Sequence, residues 1–305
     1  MCTFDMAVKN FMCRCYAKNL SENTITAYEV FFRHLKSYME DVKLTEDITQ
    51  VKPSDVRGYL VYASKTMKGI TLVGYYRRLH TFFAYLKTEG IIRINPVACV
   101  DKPKAGKHLI QSFSSEEVDK MLNAFDTDTF IGRRNYTILC LLLSTGMRRT
   151  EFLNLTMFDV NLQSSFIRVT GKGDKERIIP IGKSLGVILR KYVKSRETYM
   201  KKYLSVPFFF VTKTGTQMSK GASDTMFRKL RKDLCLTGKR FSAHTWRHTF
   251  AKAFLLNGGD VFTLQELLGH AEVDTTRIYV HYNDMERQQQ NRRYNPLDNN
   301  KWRYY

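Results

Sequence analysis

The sequence predicts a mainly α-helical protein of two domains, an N-terminal helical domain and a C-terminal mixed helical domain with a small antiparallel three-stranded sheet. Three observations support this prediction. The chain has 305 residues, which indicates two domains at about 100–200 residues each. Apolar residues recur at three- and four-residue steps over much of the chain, as one face of a helix requires. Strand-like alternation is confined to short segments between residues 165 and 212.

Three amphipathic helices are predicted in the first third of the chain. The first covers Asn23 to Met39, with Ser21 as its cap, and the second opens at Pro53-Ser54 and continues through Tyr62. The third covers Thr71 to Lys87, before Asn95-Pro96 stops the pattern. The aromatic residues of these helices could form a surface that stacks on DNA bases. Their helical spacing favours the alternative, which is packing into a core.

A change of composition separates the two domains. Residues 101–112 combine Pro, Gly and three lysines without periodicity, which is typical of a linker. We therefore predict a helical domain at 1–104, a linker at 105–112, a second domain at 113–294 and a C-terminal tail at 295–305.

Capping signals and periodicity outline the second domain. The residues Ser114-Ser115-Glu116-Glu117 match a capping box that begins a helix. Residues 136–144 are strongly apolar and predict a buried helix, which Gly146 closes. Three segments are predicted as short strands, the first two joined by a turn at 171–174: 165–170, 176–181 and 208–212. Further helices are predicted to begin near Ser184, Gly221, His244, Thr263 and Thr275.

The charge of the chain indicates an acidic partner. Lys and Arg total 49 against 29 Asp and Glu, which gives a net charge of +20. Residues 1–106 hold 16 basic and 10 acidic residues, and residues 107–305 hold 33 and 19, so both parts are basic. This distribution favours a polyanion such as DNA or RNA that contacts both domains. A basic protein without a nucleic-acid role has the same composition, so charge alone leaves that alternative open.

Cysteine usage and hydropathy limit the other classes of protein to which the chain could belong. The six cysteines include no CxxC pair, and their spacing fits neither a zinc site nor a disulfide framework. Reduced thiols predict a cytoplasmic location. The first ten residues lack an apolar signal core, and no uncharged apolar stretch reaches about 18 residues, so no membrane span is expected. The sequence has no phosphate-binding P-loop and no metal-ligand cluster, and we expect neither a cofactor nor a metal.

Five short segments of the second domain carry candidate functional groups: TGMRRTE (145–151), GKGDKER (171–177), HTWRH (244–248), LLGH (267–270) and TTRIYVHY (275–282). Singly, each has an ordinary structural explanation, such as a surface arginine or a packed tyrosine. Together and in this order they resemble the tyrosine recombinase family, also called lambda-type phage integrases, which includes Xer-like and transposon integrases. The N-terminal half is a looser match, through SENTITAYEVFFRHL and INPV followed by PK.

The resemblance implies a site-specific DNA recombinase that cleaves and rejoins strands through a 3′-phosphotyrosine intermediate. The reaction would serve integration, excision or transposition of a mobile element, or resolution of DNA. Residues 1–104 would form a core DNA-binding domain and 113–294 the catalytic domain, with the tail at 295–305 as an intersubunit contact. The implied partners are double-stranded DNA with inverted-repeat core sites, further copies of the chain in dimers and tetramers on DNA, and accessory DNA-bending or directionality factors. Bound enzyme would lie on the bacterial nucleoid.

The resemblance also assigns the groups that act on the phosphate. Tyr279 matches the nucleophile, and Arg148 and Arg247 match the family's two arginines. A free phenol has a pKa near about 10, so it needs a neighbouring base or positive charge to react at neutral pH. Each arginine offers a planar fork suited to phosphate oxygens, on which charge builds during transfer. Lys172 matches the lysine of the family's hairpin turn, which would protonate the departing 5′ oxygen.

Two histidines and one acidic residue complete the set. His244 and Arg247 stand three residues apart and share a helix face, as the HxxR motif requires. His244 would be the general base for the tyrosine and the acid for religation. His270 follows Gly269, which permits a tight turn, and matches a histidine that binds the phosphate. Glu151 matches the family's acidic residue and would orient His244 or Arg148 without contacting DNA.

Several neighbours are weaker candidates for the same roles. Arg149 is an alternative to Arg148, although the spacing to Gly146 favours Arg148, and Lys175 is an alternative to Lys172. Tyr282 is an alternative nucleophile. His248 often accompanies the HxxR motif and is interpreted as structural. Trp246 replaces the family's usual leucine and is expected to be packing.

Two other functions compete with a recombinase. A type IB topoisomerase uses a similar set of Arg, Lys, Arg, His and Tyr, but the HxxR and LGH motifs and the two-domain length argue against it. A non-catalytic DNA-binding protein of the same fold is the second alternative, and the complete catalytic set argues against that one.

Overall fold

The computed structural model describes residues 2–42, 47–105, 111–171, 176–203 and 206–269. In order, its helices are α1 Phe4–Ala17, α2 Glu22–Asp41, α3 Pro53–Ser64, α4 Gly69–Thr88, α5 Ser115–Asn123, α6 Phe130–Thr145, α7 Arg149–Asn154, α8 Lys183–Met200, α9 Lys220–Asp233, α10 Ala243–Leu256 and α11 Val261–Leu268. Its strands are β1 Val160–Asn161, β2 Phe166–Thr170 and β3 Glu176–Pro180. The mainly helical fold with one three-stranded antiparallel sheet is confirmed. The chain divides into two compact units, Met1–His108 and Leu109–Tyr305.

Aromatic side chains form the core of the N-terminal unit. Phe31 and Phe32 of α2 and Phe82 and Phe83 of α4 are all buried in one cluster. The rings of Phe32 and Phe82 meet edge to face with 4.9 Å between their centroids, an arrangement that the charge distribution of aromatic rings favours. Packing of the aromatic stripe into a core is therefore confirmed, and helices α2, α3 and α4 extend the predicted ones by at most two residues at either end.

The sequence interpretation omits the short helix α7 and also helix α1. Helix α1 begins after Thr3, whose hydroxyl accepts a hydrogen bond from the backbone N–H of Met6. Two of the residues on its buried face, Ala7 and Cys15, are small, and charged and polar residues occur among them in the sequence. The apolar period is therefore present but weak, and burial against α2 and α4 stabilises the helix. In the described part of the chain, no helix combines the length and the apolarity that crossing a membrane requires.

Helix α6 is the centre of the second unit and ends as the sequence predicts. Its side chains from Ile138 to Leu142 are buried. Gly146 takes a left-handed conformation with φ 59°, and a side chain there would collide with Phe250 and Leu268. Ahead of α6, the expected capping box at the start of α5 is also confirmed by reciprocal bonds between Ser114 and Glu117.

The sheet contains the expected hairpin but a different third strand. Strands β2 and β3 pair antiparallel, with Ile167 opposite Ile179. The third strand is β1, which pairs with β2 through Val160 opposite Ile167. The prediction that residues 208–212 form the third strand is wrong.

Residues 208–212 are bonded by isolated backbone contacts and by side chains, and not by a neighbouring strand. The backbone N–H of Phe209 donates to Leu155, but the carbonyls of Phe208 and Phe209 accept from the guanidinium group of Arg196, at 2.7 and 3.1 Å. Tyr192 donates to the Phe209 carbonyl as well. Phe209 to Val211 are buried, so their backbone groups need partners, and side chains of α8 supply part of these.

Candidate active site

The junction of α6 and α7 positions Arg148 and Glu151. After Gly146 turns the chain, Arg148 is the residue before the first turn of α7, and Glu151 lies within that turn. The Glu151 carboxylate accepts the Arg148 backbone N–H at 2.7 Å and its Nη1 at 3.0 Å. A carboxylate stabilises the exposed N–H groups of a helix start. Glu151 therefore orients the Arg148 guanidinium while part of that side chain stays open to solvent, at 37% exposure.

Helix α10 positions His244 and Arg247. Ser242 caps the helix, and its hydroxyl accepts from the backbone N–H of Thr245. The Arg247 side chain is buried, with Nη1 donating to the Gly146 carbonyl at 2.8 Å. Arg247 is thus bonded to the same turn that leads into Arg148, and the first and third of the five motif segments lie together.

The end of α11 collects three arginine side chains. Its last turn closes at Gly269, which has a left-handed φ of 64°. Three consecutive carbonyls of this turn accept from three different arginines: Leu267 from Arg177 Nε at 2.9 Å, Leu268 from Arg247 Nη2 at 2.6 Å, and Gly269 from Arg148 Nη2 at 3.2 Å. Carbonyls at a helix end lack partners within the helix and carry partial negative charge, which favours cations. The helix end therefore fixes the two candidate phosphate-binding arginines side by side.

Arg177 ends the segment GKGDKER, but the sequence analysis assigns it no role. Its guanidinium meets the Glu151 carboxylate in a two-bond pair, Nη1 to Oε1 at 2.9 Å and Nη2 to Oε2 at 2.8 Å. A signal for it exists in the sequence. Alternation along β3 puts Arg177 on the same face as buried Ile179, and an arginine on an inward face requires an acidic or carbonyl partner.

Glu151 is ionised despite its burial. Its side chain is only 2% exposed, and burial by itself would raise the pKa of its carboxyl group. Hydrogen bonds from Arg177 and Arg148, together with the positive charge of Arg177, outweigh burial, and the resulting pKa lies below its usual value. One buried carboxylate is therefore shared by two arginines, and Arg148 is more open to solvent than Arg177.

The His244 imidazole is held in its neutral form. Burial lowers its pKa below the usual value of 6.5, and the charges of Arg247, Arg240 and Arg148 lower it further. Its ring lies 4.4 Å from that of His248, centroid to centroid, and nearly perpendicular to it. A neutral imidazole can accept a proton, as a general base must.

We expect His248 to make the stability of the protein fall in mild acid. Burial, followed by the charges of His244 and Arg247, lowers the pKa of His248 from 6.5 to about 4. The unfolded chain therefore binds a proton near pH 6.5 and the folded chain only near pH 4. The free energy of unfolding is therefore highest above pH 6.5. It falls between pH 6.5 and about pH 4, by on the order of 1–2 kcal/mol after solvent screening.

The measurement compares thermal unfolding of the protein and of His248→Gln between pH 7.5 and pH 4.5. Carboxyl groups titrate equally in both, so the difference between the two melting temperatures isolates His248. That difference should shrink or change sign as the pH falls. Parallel curves would contradict the prediction.

The remaining candidates divide into two groups. Arg149, the alternative to Arg148, donates to Asp224 of α9 at 2.7 Å. Trp246 is fully buried and packs beside Phe113, as expected for packing. The following predictions fall on residues outside the described ones: the turn 171–174 beyond Gly171, Lys172, Lys175, His270, Tyr279, Tyr282, the helix near Thr275 and the tail at 295–305. Among the residues that the structure does describe, no cluster of three or more His, Cys, Asp or Glu could hold a metal ion.

Comparison with known proteins identifies the family. Residues 111–286 match the phage integrase family, and residues 15–90 match the phage integrase N-terminal SAM-like domain. The tyrosine recombinase XerD of Listeria monocytogenes serotype 4b is 36% identical over 267 residues, which cover 87% of this chain and 89% of that protein. XerC of Thermodesulfovibrio yellowstonii is 34% identical over 87% of each chain.

A solved structure supports the same fold. The integrase of transposon Tn1549, in complex with a circular intermediate DNA, aligns with a TM-score of 0.76 at 20% identity, covering 96% of this chain and 99% of that one. The family matches extend over both units and include the segments that carry Arg148 and Arg247. The chain belongs to the phage integrase family, and it is a tyrosine recombinase, a DNA-binding enzyme that breaks and rejoins DNA strands in site-specific recombination.

Proposed function

We propose that this recombinase uses Tyr279 to form a covalent bond to a DNA 3′ phosphate, with Arg148 and Arg247 bound to the oxygens of that phosphate. One observation carries the proposal. The two guanidinium groups come from α10 and from the residue before α7, and they donate to the consecutive carbonyls of Leu268 and Gly269. Two fixed forks side by side suit the oxygens of one phosphate, on which negative charge builds during transfer.

The remaining groups supply the proton transfers. Tyr279 attacks the phosphorus, and the bond from phosphorus to the 5′ oxygen breaks. His244, neutral because its pKa is lowered, accepts the phenol proton, while Lys172 protonates the departing 5′ oxygen. His270 binds a phosphate oxygen. The phosphotyrosine conserves the energy of the broken bond, so rejoining needs no nucleotide cofactor.

We further propose that the substrate is a pair of inverted-repeat core sites, with dimers on each site and a tetramer during exchange. The tail at 295–305 is the proposed intersubunit contact, and accessory factors would set direction. XerD and XerC relatives are 36% and 34% identical to this chain, each over 87% of its length. This similarity favours a recombinase of Xer type, which resolves DNA.

A suicide substrate tests the covalent step. Duplexes bound by the protein are first selected from a random pool, and the selected site is then nicked close to the cleavage position so that the released fragment diffuses away. We expect an adduct that survives denaturing electrophoresis, with the DNA on the peptide that contains Tyr279. Binding without adduct would indicate a non-catalytic protein. Relaxation of plasmids that lack the site would favour a topoisomerase.

Lys172→Ala is expected to cleave slowly on normal DNA and much faster on a substrate with a bridging 5′ sulfur. A thiolate leaves without a proton, so the loss of a general acid should matter little there. Arg148→Ala is the matched control, because a phosphate-binding group is needed on both substrates. Equal defects of Lys172→Ala on oxygen and sulfur substrates would remove it as the acid and make Lys175 the next candidate.

A further inference from the structure

The environment of Arg177 differs from that of the partly exposed Arg148. All three of its guanidinium nitrogens donate to protein groups: Nη1 and Nη2 to Glu151, and Nε to the Leu267 carbonyl. Its side chain is 12% exposed, against 37% for Arg148. Arg177 is thus directed into the protein. Its guanidinium nitrogens are bonded to protein groups and are not placed to contact DNA directly.

Arg177 joins three elements at one point. It belongs to β3, its carboxylate partner Glu151 belongs to α7, and its carbonyl partner Leu267 belongs to α11. Packing around it is close, since a side chain added at Gly269 would lie 3.1 Å from its Cδ and Nη1. Such a bridge restricts the movement of α7 relative to the end of α11.

The two elements that Arg177 connects to β3, which are α7 and the end of α11, also bind Arg148. Glu151 accepts from Arg148 at the same oxygen, Oε1, that accepts from Arg177 Nη1. The carbonyl of Gly269, two residues after Leu267, accepts Arg148 Nη2. Without Arg177, the carboxylate would keep one cationic partner and gain freedom to rotate, and the helix end would lose one of its three arginines.

We propose that Arg177 is a positioning residue for DNA cleavage, which fixes Glu151 and the end of α11 so that the Arg148 guanidinium is aligned before DNA binds. The inference rests on the proposed role of Arg148 at the phosphate. A lysine at position 177 keeps the charge but has neither the planar fork for Glu151 nor a third fixed donor for Leu267.

The test uses Arg177→Lys in the full-length chain, with single-turnover cleavage of the suicide substrate and equilibrium binding to one half-site. We expect the cleavage rate constant to fall about 10- to 100-fold, by analogy with the loss of groups that orient a metal ligand. Half-site affinity should stay within about threefold, because Arg177 makes no contact that DNA binding requires.

Two further measurements distinguish a positioning role of Arg177 from a general loss of protein stability. Arg196→Lys is the matched control: Arg196 is also buried and donates to three carbonyls, those of Val206, Phe208 and Phe209. It should lower the melting temperature without changing the cleavage rate of folded protein. In a double-mutant cycle, Arg177→Lys should add little to the defect of Arg148→Lys, since both act through one guanidinium group.

The outcomes distinguish this inference from the proposed function. An unmodified protein that forms no adduct would overturn the function itself. If the unmodified protein cleaves and folded Arg177→Lys cleaves within threefold of it, the positioning role is wrong. Additive defects of Arg177→Lys and Arg148→Lys would equally overturn it.

Discussion

Tyr279→Phe is expected to abolish covalent adduct formation and to leave DNA affinity within about twofold of the unmodified protein. The substitution removes a single hydroxyl group and keeps the ring, so folding and DNA contacts should change little. No other group can form the phosphotyrosine if Tyr279 is the nucleophile. The measurement is the yield of adduct on the suicide substrate, together with binding to the same duplex.

The chain offers a matched control three residues away. Tyr282→Phe makes the same chemical change at the alternative nucleophile and should retain adduct formation. Adduct at unmodified levels in Tyr279→Phe would exclude Tyr279. If Tyr282→Phe alone lost the adduct, the assignment would pass to Tyr282.

Arg148→Ala and Arg247→Ala are each expected to slow single-turnover cleavage by at least about 10² to 10³, which is roughly 3–4 kcal/mol of transition-state stabilisation. In the proposed mechanism, each change removes a charged donor from the position where phosphate charge develops. Arg149→Ala is the control for Arg148, because Arg149 is adjacent, carries the same charge and donates to Asp224. That variant should cleave within about threefold of the unmodified protein. Cleavage within tenfold in Arg148→Ala or Arg247→Ala would refute the phosphate-binding role.

The two arginines should differ in their effect on folding. Arg247 is 2% exposed and donates to the carbonyls of Gly146 and Leu268, whereas Arg148 is partly open to solvent. Loss of Arg247 leaves buried carbonyls unsatisfied, at about 1–3 kcal/mol for each group. We therefore expect Arg247→Ala to lower the melting temperature more than Arg148→Ala. Arg247→Lys, which retains a buried cation and one donor, keeps the test of catalysis possible if the alanine variant unfolds.

The sequence by itself determined those features that depend on neighbouring residues. Helices α2, α3, α4 and α6 follow from apolar spacing, the start of α5 from the reciprocal bonds of Ser114 and Glu117, and the end of α6 from Gly146. Capping and periodicity act within one or two helical turns, so a local pattern contains all the information they need. The order of five motifs identified the family, because each short segment carries its own chemical groups.

Only the tertiary structure decided which distant groups become partners. It placed β1 beside β2 and gave the carbonyls at 208 and 209 to Arg196, where the sequence alone favoured a third strand. It also brought Arg177 to Glu151 and set Arg148 and Arg247 on neighbouring carbonyls at the end of α11. A buried carbonyl or carboxylate binds whichever donor the packing of helices brings within about 3 Å. Arg148 and Gly269 are 121 residues apart in the chain, so no local pattern encodes their contact.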